Sequence, residues 1–382
     1  MVKKICVITG SRADYGIMLN LLSKIKNDQK CKLQIIVTNM HLEKKYGYTY
    51  KEIIKDGFKI SKKIKLPLKK NSIGDIVVAT SVAIKKFNKT LDNLNPDLVI
   101  VLGDRYEVFA GSFVTAMKGI PLAHIHGGEL SYGVIDERIR HAISKLSDLH
   151  FTSTQRYKQR LQQMGEQKKN IHYVGSLGVE RIKKTKLLSK FDFEKKINFE
   201  LGNKSLLFTY HPTTNSKKKE RLAINSILNS LKKFKTLKII FTLPNSDAYS
   251  DEIRKKIINF SKTNPKKYRV FKSMSQSLYY CAMKYCSVIF GNSSSGIIEA
   301  PSINSNIINL GDRQEGRMQS KSIKNCLLKK KNIIFTINNI INNNKKIQSN
   351  PYYKKNTSSN ILKIIKRFKK EKKLKKIFYE SK

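Results

Sequence analysis

Cysteine is sparse in this chain: Cys6, Cys31, Cys281, Cys286 and Cys326 are the only five in 382 residues. They are odd in number and widely spaced. Cys281 and Cys286 have no second pair or nearby histidine, so neither a disulfide framework nor a zinc site is indicated. A reducing cytoplasm is the compartment that fits. Long apolar runs are missing as well. After MVKK the first run is broken at Gly10 and Arg12, too short for a secretory signal or a membrane span, and is expected to form a first strand. That strand ends in GSRADYG rather than the GxGxxG dinucleotide fingerprint, which argues against a nicotinamide cofactor. Acidic residues are heavily outnumbered, with 28 Asp and Glu against 76 Lys and Arg, a formal net charge of +48. Such an excess would suit a polyanion partner if the cations were clustered. They are instead scattered through nearly every helix and loop, beside heavy use of Ile and Asn. A basic surface that draws in small anionic substrates fits better. Charge-driven nucleic-acid or anionic-surface binding stays as the alternative from another class.

What is present points to an α/β enzyme. The length suggests two domains, each with its own core. Short β-branched runs alternate with helical segments and end again and again in Gly plus polar residues, the pattern of parallel strands whose carboxyl ends carry chemistry. The stretch Asn95 to His141 organises the first half: the runs Leu98 to Leu102 and Ile120 to Ile125 break at once into Asp104, Arg105, Glu107, His126 and Glu129. A helix is expected over Tyr106 to Met117, and another from Asp136 to Leu146, which gathers Asp136, Glu137, Arg140 and His141 near its start. At the first strand end, Arg12, Ala13 and Asp14 open a helix whose amides favour an anion, an ordinary strand-to-helix turn being the alternative. His41 follows the second strand, where a lone histidine is more often structural. GSLG at Gly175 to Gly178 is a plausible hinge.

The alternation restarts at Ser205, with strand ends carrying His211, then Asn245 with Asp247, then GNSSSG. In that last motif Ser293, Ser294, Ser295 and Gly296 suit a diphosphate at a helix start, whereas a plain serine cap needs only one of them. Glu299, one turn on, suits ribose hydroxyls, and Arg313 in GDRQEGR offers a further anion contact. Beyond about Met318 the pattern weakens, and Ser359 to Tyr379 is expected to be a basic amphipathic helix packed on the body by its apolar face.

GSRADYG, GDRYE, HIHGGE, DERIRH, HP, PNSD, GNSSSG and LGDRQEGR, in that order, resemble the hydrolysing UDP-N-acetylglucosamine 2-epimerases, those of bacterial sialic acid synthesis above all. The resemblance implies two Rossmann-like doubly wound domains facing across a cleft, in a GT-B-like arrangement. They are expected at residues 1–176 (sugar and catalytic side) and 177–358 (UDP-binding), with a basic helix over 359–382. It implies a homo-oligomer, dimer or tetramer, in the cytoplasm. It implies no metal, redox cofactor or ATP, and neither nucleic acid nor membrane as a partner.

The implied reaction removes the proton at sugar C2 while UDP leaves C1, and water then attacks the glycal. Carried over residue by residue, Arg12, His211, Asn245, Asp247, Ser293, Ser294, Glu299 and Arg313 match positions that hold the nucleotide; Asp104, Asp136 and Arg140 match positions near the sugar. Where several relatives have Glu, in HIEGGE, this chain has His126, and Glu129 is the nearest carboxylate. Base and acid stay unassigned among Asp104, His126, Glu129 and Asp136. The rivals are the same reaction on a UDP-diacetamido-trideoxyhexose leading to legionaminic-type acids, and a non-hydrolysing epimerase or a glycosyltransferase on the same architecture.

Overall fold

The computed structural model describes residues 2–67, 72–132, 134–213, 216–245, 249–304, 306–342, 349–369 and 376–380. Two compact units emerge. One holds Met1–Glu129, Ile135–Arg181 and Tyr352–Lys382, the other Leu130–Val134 and Ile182–Pro351.

The first unit runs β1 (Lys3–Thr9), α1 (Arg12–Lys26), β2 (Cys31–Thr38), α2 (Tyr50–Lys55), β3 (Lys62–Ile64), α3 (Ile73–Leu94), β4 (Leu98–Leu102), α4 (Tyr106–Met117), β5 (Leu122–Ile125), α5 (Asp136–Leu146), β6 (Leu149–Thr152), α6 (Gln155–Gln163) and β7 (Ile171–Tyr173). Its seven strands are parallel, in the order β3-β2-β1-β4-β5-β6-β7. Helices cover both faces of such a sheet, so its central strands are apolar without alternation. Ile5, Cys6 and Val7 of β1 and Leu98 to Val101 of β4 are wholly buried. Two helix starts follow the S-x-x-D pattern: Ser11 and Ser72 cap α1 and α3 while Asp14 and Asp75 reach back to the cap amides.

The second unit takes the chain from α7 (Leu177–Lys184), within which the division falls, through α8 (Lys190–Ile197), β8 (Ser205–Thr209), α9 (Lys217–Leu231), β9 (Lys238–Thr242), α10 (Ser250–Lys262), β10 (Tyr268–Phe271), α11 (Gln276–Tyr285), β11 (Val288–Gly291), α12 (Ser294–Ile298), β12 (Ile307–Leu310), β13 (Ile323–Cys326) and α13 (Lys330–Ile341). Its six parallel strands are ordered β10-β9-β8-β11-β12-β13 around a core that includes Phe208, Tyr210, Phe241 and Phe290. Strand order reverses between β1 and β4 in one sheet and between β8 and β11 in the other. Ligands of doubly wound sheets bind at the carboxyl ends of such strand pairs.

Three expectations change. The Gly175–Gly178 segment is no hinge between the units: it leads into α7 inside the first unit, and a Cβ on Gly175 would press on the Lys354 backbone. The crossings fall after Glu129, Val134, Arg181 and Pro351 instead. The C-terminal helix, α14 (Thr357–Arg367), is shorter than the apolar pattern suggested; its chain leaves helical geometry at Phe368, and residues 376–380 are not helical. It packs on α1, burying Ile361 and Ile365 in the first unit's core. The weakly patterned region after Met318 holds a strand and a helix, β13 and α13. No helix among the described residues is long and apolar enough to cross a membrane.

Candidate functional site

In the first unit the loops after β1, β4 and β5 carry a network of buried charge. Arg140, 1% exposed on α5, donates to the Asp104 carboxylate and, at 3.0 Å each, to Glu137 Oε2 and the Glu129 carbonyl oxygen. Burial alone would disfavour its charge, but Asp104, Glu129 and Glu137 raise its affinity for the proton. Asp104, the first acidic residue after β4, therefore spends one face of its carboxylate on Arg140. Arg105 turns elsewhere, its Nε donating to Glu107 Oε1 at 2.7 Å, so Glu107 rather than Asp104 braces it. Asp136 is the first residue of α5; the cap position belongs to Ile135, which makes no side-chain cap bond, so capping does not account for Asp136.

His126 and Glu129 form a second pair. His126 Nδ1 lies 2.9 Å from Glu129 Oε1, and the same oxygen accepts from Ser153 Oγ at 2.8 Å. His126 is 7% exposed and takes a left-handed backbone with φ of 68°, unusual for a residue with a side chain. Its Nε2 is buried and makes no hydrogen bond among the described residues. A carboxylate on Nδ1 selects the tautomer with the proton there, which leaves Nε2 as a lone-pair acceptor.

Two further histidines of this region, His124 and His41, are structural in geometry. His124 lies between Ser144 Oγ at 3.0 Å and the Gly103 carbonyl oxygen at 2.8 Å; His41 lies between Thr9 Oγ1 at 3.1 Å and Thr49 Oγ1 at 2.9 Å. Burial pushes each of them down to about 3, so both are neutral.

The loop after β1 is occupied from inside. The Asp14 carboxylate accepts from the Gly10 and Ser11 amides, each at 2.9 Å, so its own helix start uses amides that an outside anion would need. Burial raises Asp14 to about 6, with Arg105 opposing and Glu107 adding to the shift. A Cβ on Gly10 would overlap the Glu107 carboxylate as it stands, so the glycine leaves room for that side chain. Arg12, on the first turn of α1 beside Ala13, lies 4.0 Å from Glu52.

In the second unit Asn292 joins the two strand ends at the reversal point. Its Oδ1 accepts from the His211 amide at 2.7 Å and its Nδ2 donates to the His211 carbonyl at 2.8 Å. Its own carbonyl accepts from Arg313 Nη1 at 3.1 Å and Gln314 Nε2 at 2.8 Å. Gly291 allows the approach: at φ of 148° a Cβ would collide with the Thr209 carbonyl. Ser293 caps the short α12, whose first turn holds Ser294, Ser295 and Gly296; Ser295 Oγ lies 2.8 Å from Tyr279 Oη and 2.9 Å from Ser293 Oγ. A small pocket beside them is lined by Thr209, Tyr279, Ser293, Gly296 and Asn309. Glu299 closes α12 and is buried; Asn245 follows β9 and is half-buried; Asp247 lies outside the described residues. Arg317, the last residue of GDRQEGR, donates to the Leu130 carbonyl at 3.1 Å and to Ser131 Oγ at 3.2 Å.

Sequence reasoning did not single out Asn292, Tyr279 or Ser153. Asn292 was visible inside GNSSSG, but no signal marks Tyr279 or Ser153, which reach the site from other segments. Volume does not locate the site either: the roomier grooves of the first unit flank α14.

Taken together, two doubly wound units with polar residues gathered at the strand-order reversals define an α/β protein of the nucleotide-binding kind. The family model described as UDP-N-acetylglucosamine 2-epimerase matches residues 23–366, and the chain belongs to that family. It is 40% identical over 321 residues to the GDP/UDP-N,N'-diacetylbacillosamine 2-epimerase (hydrolyzing) of Campylobacter jejuni, covering 84% of this chain and 83% of that one. It is 38% identical over 377 residues to the polysialic acid biosynthesis protein P7 of Escherichia coli, covering 97% and 95%. Among solved structures, the Neisseria meningitidis UDP-GlcNAc 2-epimerase bound to UDP-GlcNAc superposes with a TM-score of 0.78 at 21% identity, covering 96% of this chain and all of that one.

Proposed function

We infer that the protein is a hydrolysing 2-epimerase that converts UDP-N-acetylglucosamine and water to N-acetylmannosamine and UDP, for sialic acid synthesis. The observation that carries the chemistry is His126: one ring nitrogen is committed to Glu129, and the other is buried and unpartnered at the end of β5. His126 Nε2 takes the proton from sugar C2. The C–H electrons form the C1=C2 bond, and the C1–O bond breaks with its electrons leaving on UDP. Water then adds across the glycal, oxygen to C1 and a proton to C2 from the opposite face, with Asp104 and Asp136 as the groups assigned to proton delivery. Arg140 fixes Asp104. Nucleotide binding is assigned to His211, Asn245, Asp247, Ser293, Ser294, Ser295, Gly296, Glu299 and Arg313, with Arg12 for phosphate charge. Ala13, Asp14 and His41 shape the loops beside β1 and β2.

A second reading keeps the reaction and changes the sugar to a UDP-diacetamido-trideoxyhexose. Relatives named for each kind of pathway stand at nearly the same identity, 40% and 38%. The two are separated by supplying each UDP-sugar alone and measuring free UDP and free sugar. Release of N-acetylmannosamine from the first supports our reading. Turnover of the diacetamido sugar only moves the assignment to the second, and turnover of neither overturns both.

A further inference from the structure

A single stripe of α5 reaches the end of β4 twice. Asp136, Arg140 and Ser144 stand four apart, a spacing that stacks side chains along one side of a helix. From this stripe Arg140 reaches the Asp104 carboxylate. One turn further on, Ser144 reaches the same strand end through an intermediary. Its Oγ lies 3.0 Å from His124 Nδ1, and His124 Nε2 lies 2.8 Å from the carbonyl oxygen of Gly103, the residue before Asp104. Ser144 and His124 are both wholly buried.

A carbonyl oxygen only accepts, so Nε2 of His124 is the donor and Nδ1 accepts from the Ser144 hydroxyl. Both polar atoms of the ring are thereby used, as a buried imidazole requires. Filling a core position would need neither partner. What sets this ring apart is where its partners lie. Gly103, with φ of 82°, turns the chain out of β4 into Asp104. Gly127, next to His126, packs on the same contact: a Cβ there would come within 2.8 Å of Ser144 Oγ and 3.0 Å of His124 Nδ1. The imidazole therefore sits where the end of β4, the end of β5 and α5 meet, the three segments that carry Asp104, His126 with Glu129, and Asp136 with Arg140. Burial pushes it down to about 3, so the ring is neutral well above that pH and its two bonds keep one direction.

We propose that His124 is a positioning residue for the reaction: with Ser144 it fixes the Gly103 carbonyl, and so holds Asp104 in register with Asp136 along one stripe of α5. It rests on the assignment of Asp104 and Asp136 to proton delivery. Arg140 orients the Asp104 carboxylate, and the imidazole fixes the backbone from which that carboxylate hangs. Both are needed, because a displacement of about 1 Å at a reacting group costs on the order of a hundredfold in rate.

Ser144→Ala is the first test, because alanine suits a helix interior and leaves the imidazole in place. Steady-state UDP release, with whichever UDP-sugar the wild type turns over, is expected to fall about tenfold in kcat, with KM within about twofold and the pH–rate profile unchanged in shape. His124→Leu, which removes both bonds, falls at least as far, and His124→Gln, which keeps a donor for Gly103, recovers part of the loss. Ser112→Ala removes an equally buried hydroxyl that donates to the Val108 carbonyl of its own helix, and leaves kcat unchanged. Without any substrate, amide hydrogen exchange from Gly103 to Glu107 quickens in Ser144→Ala; exchange at the wild-type rate overturns the proposal whatever the sugar. Folded Ser144→Ala and His124→Leu with wild-type kcat, while Asp104→Asn in parallel loses turnover, overturn this proposal alone. Asp104→Asn at the wild-type rate overturns the assignment beneath it and the proposal with it. A loss in Ser112→Ala equal to that in Ser144→Ala marks a general packing effect and overturns it as well.

Discussion

Acidification is expected to destabilise the first unit through two wholly buried histidines. His124 and His41 are wholly buried, each between two oxygen partners, and each is held down to about 3 from an ordinary 6.5. Their folded values lie below the unfolded one, so the stability they contribute is present above about pH 6.5 and is lost as pH falls toward 3. Each unit of pH in that window costs about 1.4 kcal/mol per histidine. At pH 5 each therefore withdraws about 2 kcal/mol relative to pH 7.5, a large share of a typical folding free energy. The carbonyl of Gly103 only accepts, so His124 Nε2 must carry the proton and Nδ1 accepts from Ser144. A glutamine keeps the donor to Gly103 without a titrating ring. His124→Gln is expected to be less stable at pH 7.5 from lost packing, yet to lose about 2 kcal/mol less than wild type between pH 7.5 and pH 5. Urea unfolding at four or five pH values reads this directly. A variant whose pH slope equals that of wild type would refute the buried neutral imidazole.

Two further outcomes concern turnover. Asp104→Asn and Asp136→Asn are each expected to lower kcat by at least about a hundredfold, the range for a lost acid or base, in steady-state UDP release; wild-type rates in both would remove these residues from the chemistry. Glu129→Gln should cost about tenfold or more in kcat, because it removes the carboxylate that sets the His126 tautomer, and His126→Gln at least about a hundredfold. Unchanged kcat in both would separate the pair from proton transfer.

The strand ends were legible because parallel strands buried on both faces must be continuous apolar runs: β4 falls at the residues that the sequence indicated, and α4 and α5 do as well. The two edge strands of the second sheet were not. β13, IKNC, has two exposed polar residues between buried ends, and β10 sits among lysines, so neither shows an apolar run. The inward turn of Asp14 was present in the spacing Ser11 to Asp14, a capping pattern overshadowed by the expected anion site. Partnerships were the hidden layer. Arg140 finds Asp104 across 36 positions, Ser153 finds Glu129 across 24, and Asn292 finds His211 across 81. Local pattern names the residues that carry charge at a strand end, but only folding decides which charge each one meets. That is why His126, equivocal in the sequence, gains a definite tautomer and a free nitrogen once Glu129 and Ser153 are in place.

The central claim is that proton removal at C2 is coupled to loss of UDP and followed by addition of water. It is tested by incubating the protein with UDP-N-acetylglucosamine alone in deuterated water and following the sugar by proton NMR. The account requires free N-acetylmannosamine bearing deuterium at C2, together with one equivalent of UDP. UDP-N-acetylmannosamine as the accumulating product, or free sugar that keeps its original C2 proton, would contradict it.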